Sequence, residues 1–281
     1  MSTSLMTEPM IESSPRSQAR AAGGLWWLCI VAGIVGFVAG APLIVTNDAA
    51  ATAANILAKE SLFRLGFSAD LISGLFYVGV TIFIYYVLKP VSRSLSLLGA
   101  FFGLAGVAIG GASWVIHLAP LLLLHGDQYL TSFTTSQLQA MSLAALKLQL
   151  QVFPIGMVFF GIQCMSIGYL VAQSTFLPRI LGILLAIGGT CYVIASFANF
   201  LTPSFGPRLV PFIMPVALIG EGSLGLWLLV KGVNVQRWKE VATATLQQAA
   251  TQPSPEISPE TIRGCPLATG QGSDKQITEN R

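Results

Sequence analysis

The segment SLFRLGFSADLISGLFYVGVTIFIYYVLK, residues 61–89, is the clearest indication of the kind of protein this chain forms. About twenty apolar residues in a helix cross the roughly 30 Å of bilayer hydrocarbon, and this segment is longer than that. It nevertheless carries Arg64 and Asp70. A charged group in such a span costs about 3 kcal/mol, so it usually faces water or the protein interior and has a partner there. Helical spacing from Asp70 places small and polar residues on one face of the span, namely Ser73, Gly74, Tyr77 and Thr81.

The composition of the whole chain indicates a membrane protein. Of 281 residues, 53% are hydrophobic and 10% are charged, whereas soluble proteins carry about 25% charged residues. The mean hydropathy is +0.71. The net charge of +3 is small, and Lys and Arg are scattered around the apolar segments. We therefore predict no nucleic-acid partner, because such a partner requires a clustered basic surface.

Six apolar segments predict an all-α fold, a polytopic integral membrane bundle of about six transmembrane helices. Each segment is long enough to cross the bilayer, which is the predicted environment of the chain. A short helix at about 49–61, capped by Asn47 or Asp48, is predicted to lie along the interface and to lead into the second span. The predicted spans lie at about 25–45, 62–88, 95–124, 149–173, 178–201 and 209–231.

Small residues recur along the third predicted span at spacings of three and four. They are Gly99, Gly103, Gly106, Gly110 and Ser113. Small residues on one face of a membrane helix let a neighbouring backbone approach closely. We therefore predict that this face packs against another helix.

The two ends of the chain differ from the apolar region. Residues 1–24 and most of 234–281 are polar and rich in Ser, Pro and Thr or Gln, which is typical of disordered tails. A short helix at about 236–248 also fits the second tail. We predict that the first span is an uncleaved anchor, because residues 25–45 exceed a typical signal core and follow Trp26 and Trp27, which suit the interface.

The distribution of Lys and Arg predicts the orientation in the membrane. Six spans place both termini on the same side, and eight basic residues near the spans lie on that side against four on the other. The positive-inside rule therefore predicts a multi-pass cell-membrane protein with both termini cytoplasmic. The eight are Arg16, Arg20, Lys89, Arg93, Arg179, Lys231, Arg237 and Lys239; the four are Lys59, Arg64, Lys147 and Arg208.

Polar residues inside the spans form the candidate binding site. If the six spans cross the membrane with both termini in the cytoplasm, the ionisable residues and Asn199 lie between the middle of the membrane and its outer surface. We predict a polar pocket that opens outward and has Glu221 as its floor, because a carboxylate at mid-span cannot reach the surface and is costly unless it is used or paired. The candidate residues are Arg64, Asp70, Tyr77, His117, Gln163, Asn199 and Glu221.

The same residues also have structural interpretations. Arg64 lies close enough to the interface to extend its guanidinium group to water. Asp70, Gln163 and Asn199 can hydrogen-bond to neighbouring helices, as polar residues in membrane helices commonly do. His117 can be a hydrogen-bonded packing residue. The sequence leaves the functional and the structural interpretations open.

No catalytic or metal-binding signature accompanies these residues. The sequence contains no His-Glu-x-x-His, no Gly-x-Ser-x-Gly and no phosphate-binding loop, which are the motifs that would indicate known hydrolase or nucleotide chemistry. Two histidines and four cysteines without paired spacing indicate neither a metal site nor a disulfide framework. We predict no metal and no cofactor, and the sequence gives an enzyme no positive support.

Three blocks of the sequence carry a family resemblance: NILAKESLFRLGFSADL, FFGIQCMSIGYLVAQSTFLPRILGILLAIGG and GEGSLGLWLLVKG. The chain resembles, over about residues 25–233, a bacterial membrane family known as domain of unknown function 4386. The resemblance implies a compact bundle of six or seven helices and implies no activity, because the family is itself uncharacterised. It places Arg64, Asp70, Pro178, Arg179 and Glu221 inside the family's blocks.

Three functions remain compatible with the sequence. The first is the binding or transport of a small solute, a lipid or a proton through the polar pocket. The second is a structural or regulatory membrane subunit in which the polar groups only hold helices together. The third is a membrane-embedded enzyme.

Overall fold

The computed structural model describes residues 14–126 and 128–251. In these ranges the chain is helical and contains no strand, which confirms the predicted all-α fold. Six of the helices are long and apolar enough to cross a membrane, which confirms the predicted number of spans. The helices are α1 (Pro15–Gly40), α2 (Ala49–Ala58), α3 (Glu60–Leu88), α4 (Arg93–Leu124), α5 (Thr135–Gln173), α6 (Arg179–Leu201), α7 (Gly206–Val230) and α8 (Val235–Thr251).

The described residues up to Ala242 form one compact unit, and the end of α8 belongs to a second. In the first unit the six long helices form a closed ring. Each packs against the next long helix in chain order, and α7 packs against α1. The α1–α7 and α3–α4 contacts are the least extensive in the ring. The ring therefore consists of a pair, α1 and α3, and a quartet, α4 to α7.

Glycines set the closest helix contacts. A Cβ atom added to Gly106 would lie 3.3 Å from the carbonyl oxygen of Gly156, and one added to Gly103 would meet the Gln163 side chain. This confirms the predicted packing face on the third span, now α4, and identifies α5 as its partner. The contact between α5 and α6 is closer still, since a Cβ atom on Gly182 would overlap the Gly168 carbonyl oxygen.

The first helix begins earlier than predicted. The sequence predicts a disordered tail over residues 1–24, whereas α1 begins at Pro15, where the Ser14 hydroxyl accepts a hydrogen bond from the Ser17 backbone N–H at 3.2 Å. Ala19 and Ala22 are fully buried in this first part of the helix. Small residues give no apolar period in the sequence, yet they are the ones that allow close helix packing. Residues 1–13 lie outside the described residues.

The fourth span is the second part of a single helix, α5, which agrees with the long helix that the sequence predicts over about 137–173. Its 39 residues extend about 58 Å and so exceed the hydrocarbon thickness. The short helix α2, capped by Asp48, packs against α3, α4 and α5 and contributes Ile56 to an apolar cluster with Phe63 and Leu146. The second tail begins with a helix, α8, and residues 252–281 lie outside the described residues.

Candidate functional site

A hydrogen-bonded carboxyl group lies in the interior of the ring. Glu221 lies midway along the membrane-spanning part of α7, Pro211–Val230, and is 7% exposed. The Tyr192 hydroxyl, from α6, donates to its Oε1 atom at 2.6 Å. The Trp26 indole N–H, from α1, donates to its Oε2 atom at 3.3 Å. Both carboxyl oxygens therefore have a donor, and the two donors come from different helices.

The donors to Glu221 are both neutral. Among the described residues the ion pairs join Glu60 to Arg64 and to His125, and neither pair involves Glu221. Removing an unpaired charge from water costs several kcal/mol even in a relaxed protein. Hydrogen bonds from Trp and Tyr stabilise a carboxylate but leave its charge uncompensated. The site is therefore one at which a positively charged species would be favourable.

A second group of buried polar side chains links α3 to α5. The Tyr77 hydroxyl donates to Gln163 Oε1 at 2.7 Å, and Gln163 Nε2 donates to the Thr81 hydroxyl at 3.4 Å. The Phe160 ring contacts both Tyr77 and Tyr192, with centroid distances of 5.0 Å and 5.5 Å. Phe160 thus connects this group to the tyrosine that binds Glu221.

Glycines, which have no side chain, leave the space in which these hydrogen bonds form. A Cβ atom on Gly23 would lie 2.5 Å from the Gly225 carbonyl oxygen, so only glycine lets α1 and α7 approach closely enough to bring Trp26 to Glu221. A Cβ atom on Gly103 would overlap the Gln163 amide. These glycines make room for the polar groups as well as for the backbones.

The buried hydrogen bonds join the two parts of the ring, the pair (α1 and α3) and the quartet (α4 to α7). Trp26 and Glu221 join α1 to α7, and Tyr77 and Gln163 join α3 to α5. In both cases one partner belongs to the pair and the other to the quartet. Hydrogen bonds therefore hold together the two parts of the ring at the level of Glu221.

The structure places the other predicted site residues elsewhere. The Arg64 side chain is 57% exposed and donates to Glu60 at 2.7 Å at the start of α3. His117 is buried, stacks on Phe63 with a centroid distance of 4.1 Å, and has Nδ1 3.2 Å from Gln149 Oε1.

Asn199 and Asp70 also lie apart from Glu221. Asn199 donates to Gln151 at 3.1 Å near the end of α6. Asp70 is half-buried against Gly36, and no hydrogen bond joins it to another described residue. Of the seven predicted residues, Tyr77 and Gln163 are joined by a hydrogen bond, whereas in the described part of the chain no hydrogen bond or ion pair links Arg64, Asp70, His117 or Asn199 to Glu221. Spacing along a helix predicts depth, but it does not predict which way the helix faces within the bundle.

Sequence reasoning missed two residues that bind Glu221. Trp26 was assigned to the interface, but it is fully buried, and Tyr192 was not singled out. A signal was present for each: Trp26 lies seven residues before Gly33, and Tyr192 lies three residues after Gly189. These spacings place both aromatic residues on the small-residue faces that meet neighbouring helices.

Two buried nitrogen atoms have no hydrogen-bond partner among the described residues, Trp27 Nε1 and His117 Nε2. The Trp27 ring lies against Gly222 and Gly225 of α7, so one unpaired donor lies in the α1–α7 contact near Glu221. Over the same described residues, no cluster of three or more His, Cys, Asp or Glu side chains is arranged to hold a metal ion.

Comparison with known proteins gives a family but no activity. A family model described as domain of unknown function (DUF4386) matches residues 21–232. An uncharacterized protein from the archaeon Archaeoglobus fulgidus is 27% identical over 155 residues, which cover 55% of this chain and 76% of the relative. No solved structure matches the chain.

Proposed function

We propose that this chain, which belongs to the family described as domain of unknown function 4386, binds a proton at Glu221 and uses it to transport a proton or a small solute. The observation that carries the proposal is the setting of the Glu221 carboxyl group: it is buried at mid-membrane, is bound by two neutral donors, and has no cation in contact among the described residues. Intramembrane carboxyl groups in such settings commonly belong to proton pathways.

The ligands around Glu221 favour a proton over a metal ion. Hard metal cations take about six or more oxygen ligands, whereas the polar side chains that contact Glu221 are one hydroxyl and one indole N–H. A proton needs only the carboxyl oxygen itself. The Tyr192 hydroxyl can also accept the hydrogen of a protonated carboxyl group.

Protonation would change the contact between α1 and α7. A hydrogen bond to an ionised acceptor is roughly twice as strong as one between neutral groups. The Trp26 indole can only donate, so its bond to Glu221 would weaken when the carboxyl group becomes neutral. Because this bond joins the pair to the quartet, proton binding at Glu221 would directly change how the two parts of the ring pack together.

The distribution of charge supports an orientation with both termini in the cytoplasm. Eight basic residues lie at the end of the ring where α1 begins and α7 ends, and four lie at the other end. The positive-inside rule assigns the more basic end to the cytoplasm. Glu221 would then take up and release its proton between the cytoplasm and the outside.

A structural or regulatory subunit is the second candidate. It is favoured by the fact that the buried bonds at Glu221 and Gln163 all join different helices. A groove of the described residues lies on the surface of α5 and α6, between Gly168, Ala172 and Ile183, and Glu221 does not line it. In this alternative the carboxyl group only stabilises the bundle.

Thermal unfolding of the purified protein across a pH series distinguishes the two candidates. If Glu221 exchanges a proton in the folded protein, the difference in stability between the wild type and Glu221→Gln should change with pH, by at most about 1.4 kcal/mol per pH unit for one proton. Asp70→Asn is the matched control, because it removes another intramembrane carboxyl group. Proton exchange in the folded protein makes the difference between the wild type and Glu221→Gln level off on both sides of the pH series. A carboxyl group that keeps one protonation state in the folded protein predicts a difference that does not level off on one side, because only the unfolded chain then titrates. That result would contradict the proposal.

A further inference from the structure

One end of the ring carries most of the Lys and Arg residues of the first unit. We call it the terminal face: the end at which α1, α4 and α6 begin and α3, α5 and α7 end. Among the described residues up to Ala242, eight cations lie there against one carboxylate, Glu240. At the opposite end the described residues include four cations together with Asp48 and Glu60. The eight cations are Arg16, Arg20, Lys89, Arg93, Arg179, Lys231, Arg237 and Lys239.

Two of these cations donate hydrogen bonds to backbone carbonyl groups of the protein. Arg20 donates to the Val230 carbonyl oxygen at 3.1 Å, near the end of α7. Arg237 donates to the Thr175 carbonyl oxygen at 3.3 Å, in the turn between α5 and α6. Backbone carbonyls at helix ends need such donors. The positions of these two residues are explained within the protein.

Arg93, Arg179 and Lys231 are different. Each is exposed, and none has a side-chain partner among the described residues. Arg93 and Arg179 are the first residues of α4 and α6, where the helix dipole disfavours a positive charge. Neither arginine therefore stabilises its own helix, and an external anion would account for both.

The first part of α8 adds to this face. The Trp238 indole N–H donates to the Val87 carbonyl oxygen at 2.8 Å, and Val241 packs on the core with Trp238. This fixes the start of α8, with Arg237 and Lys239, at the ends of the spanning helices. Tryptophan and basic side chains at the end of a membrane helix are typical of the headgroup level of a bilayer.

We infer that the terminal face is a binding surface for anionic phospholipid headgroups, with Arg93 and Arg179 as phosphate contacts. The occupant is a lipid rather than a soluble anion, because the cations ring the ends of membrane-spanning helices, where lipid headgroups lie. This inference is independent of proton binding by Glu221.

The test uses the purified full-length protein in nonionic detergent, in which added lipid reaches both ends of the ring. Phosphatidylglycerol should raise the unfolding temperature, and phosphatidylcholine should not. One cation near an anionic surface strengthens binding roughly fivefold. In the double variant Arg93→Gln/Arg179→Gln, half-maximal stabilisation should therefore need about thirtyfold more phosphatidylglycerol. Added salt should weaken the effect.

Three controls make the result decisive. Arg208→Gln changes an exposed arginine in the first turn of α7 at the opposite end and should leave the phosphatidylglycerol response unchanged. The double variant Arg93→Lys/Arg179→Lys keeps both charges and should keep most of the stabilisation by phosphatidylglycerol. Soluble glycerol phosphate should not replace the lipid. An equal loss in Arg208→Gln, an unchanged response in the double glutamine variant, or full stabilisation by glycerol phosphate would each overturn the inference.

Discussion

Replacing Gly182 by alanine is expected to destabilise the folded protein by about 3 kcal/mol, at the upper end of the usual cost of overpacking. The added Cβ atom would overlap the Gly168 carbonyl oxygen and would lie 2.6 Å from the Ala172 backbone nitrogen. Both neighbours are backbone atoms, so no side chain can rotate to relieve the overlap. Helices α5 and α6 would have to separate, and the loss is measurable as the unfolding free energy in lipid bicelles.

Gly111→Ala is the matched control for this prediction. Gly111 also lies inside a spanning helix, α4, but the nearest atom to its added Cβ would be 4.0 Å away, in the Trp114 ring. That separation is an ordinary contact, so Gly111→Ala should be neutral or slightly stabilising, because alanine favours helix over glycine. Equal stability of the Gly182 and Gly111 variants would mean that α5 and α6 do not pack as described.

Replacing Tyr192 by phenylalanine is expected to cost about 2 kcal/mol when Glu221 is ionised, because hydrogen bonds to charged groups contribute about 1.5–3 kcal/mol. When Glu221 is protonated the cost should fall to about 0.6 kcal/mol, which is typical of neutral hydrogen bonds between membrane helices. A double-mutant cycle of Tyr192→Phe and Glu221→Gln isolates this coupling. The cycle should be measured at the lowest and at the highest pH of the series.

Tyr169→Phe serves as the control for loss of a tyrosine hydroxyl. Tyr169 lies on α5, is 56% exposed, and should show no coupling to Glu221 at either pH. If the Tyr192–Glu221 coupling were the same at both ends of the pH series, the carboxyl group would not change its charge in the folded protein. The bond would then be a structural link between α6 and α7.

The sequence predicts the fold well because span length and hydropathy are local properties. Six apolar segments required six helices, since a bilayer leaves no other way to satisfy their backbone groups. The glycines of α4 also predicted a packing face, which proved to be the contact with α5. The start of α1 was harder to predict, because its buried residues Ala19 and Ala22 carry no hydrophobic signal.

The candidate site was only partly predictable. Glu221 and Gln163 were identified because buried polar groups in apolar helices are costly, and both are buried. Their partners depend on how each helix is rotated in the ring, and that is set by glycine contacts between distant segments, such as Gly23 with Gly225. The sequence predicts Arg64 and Asn199 in one site with Glu221 because of their depth in the membrane. In the structure, however, Arg64 binds Glu60 and Asn199 binds Gln151.

Infrared difference spectroscopy of the reconstituted protein between low and high pH observes the Glu221 carboxyl group itself. A protonated carboxyl group has a C=O stretching band that is absent from a carboxylate, so proton release from Glu221 should remove this band as the pH rises. The Glu221 component of this band should be present in the wild type and in Asp70→Asn, and it should be missing from Glu221→Gln. Identical difference spectra for the wild type and Glu221→Gln would show that Glu221 does not bind and release a proton in the folded protein, and would contradict the proposed function.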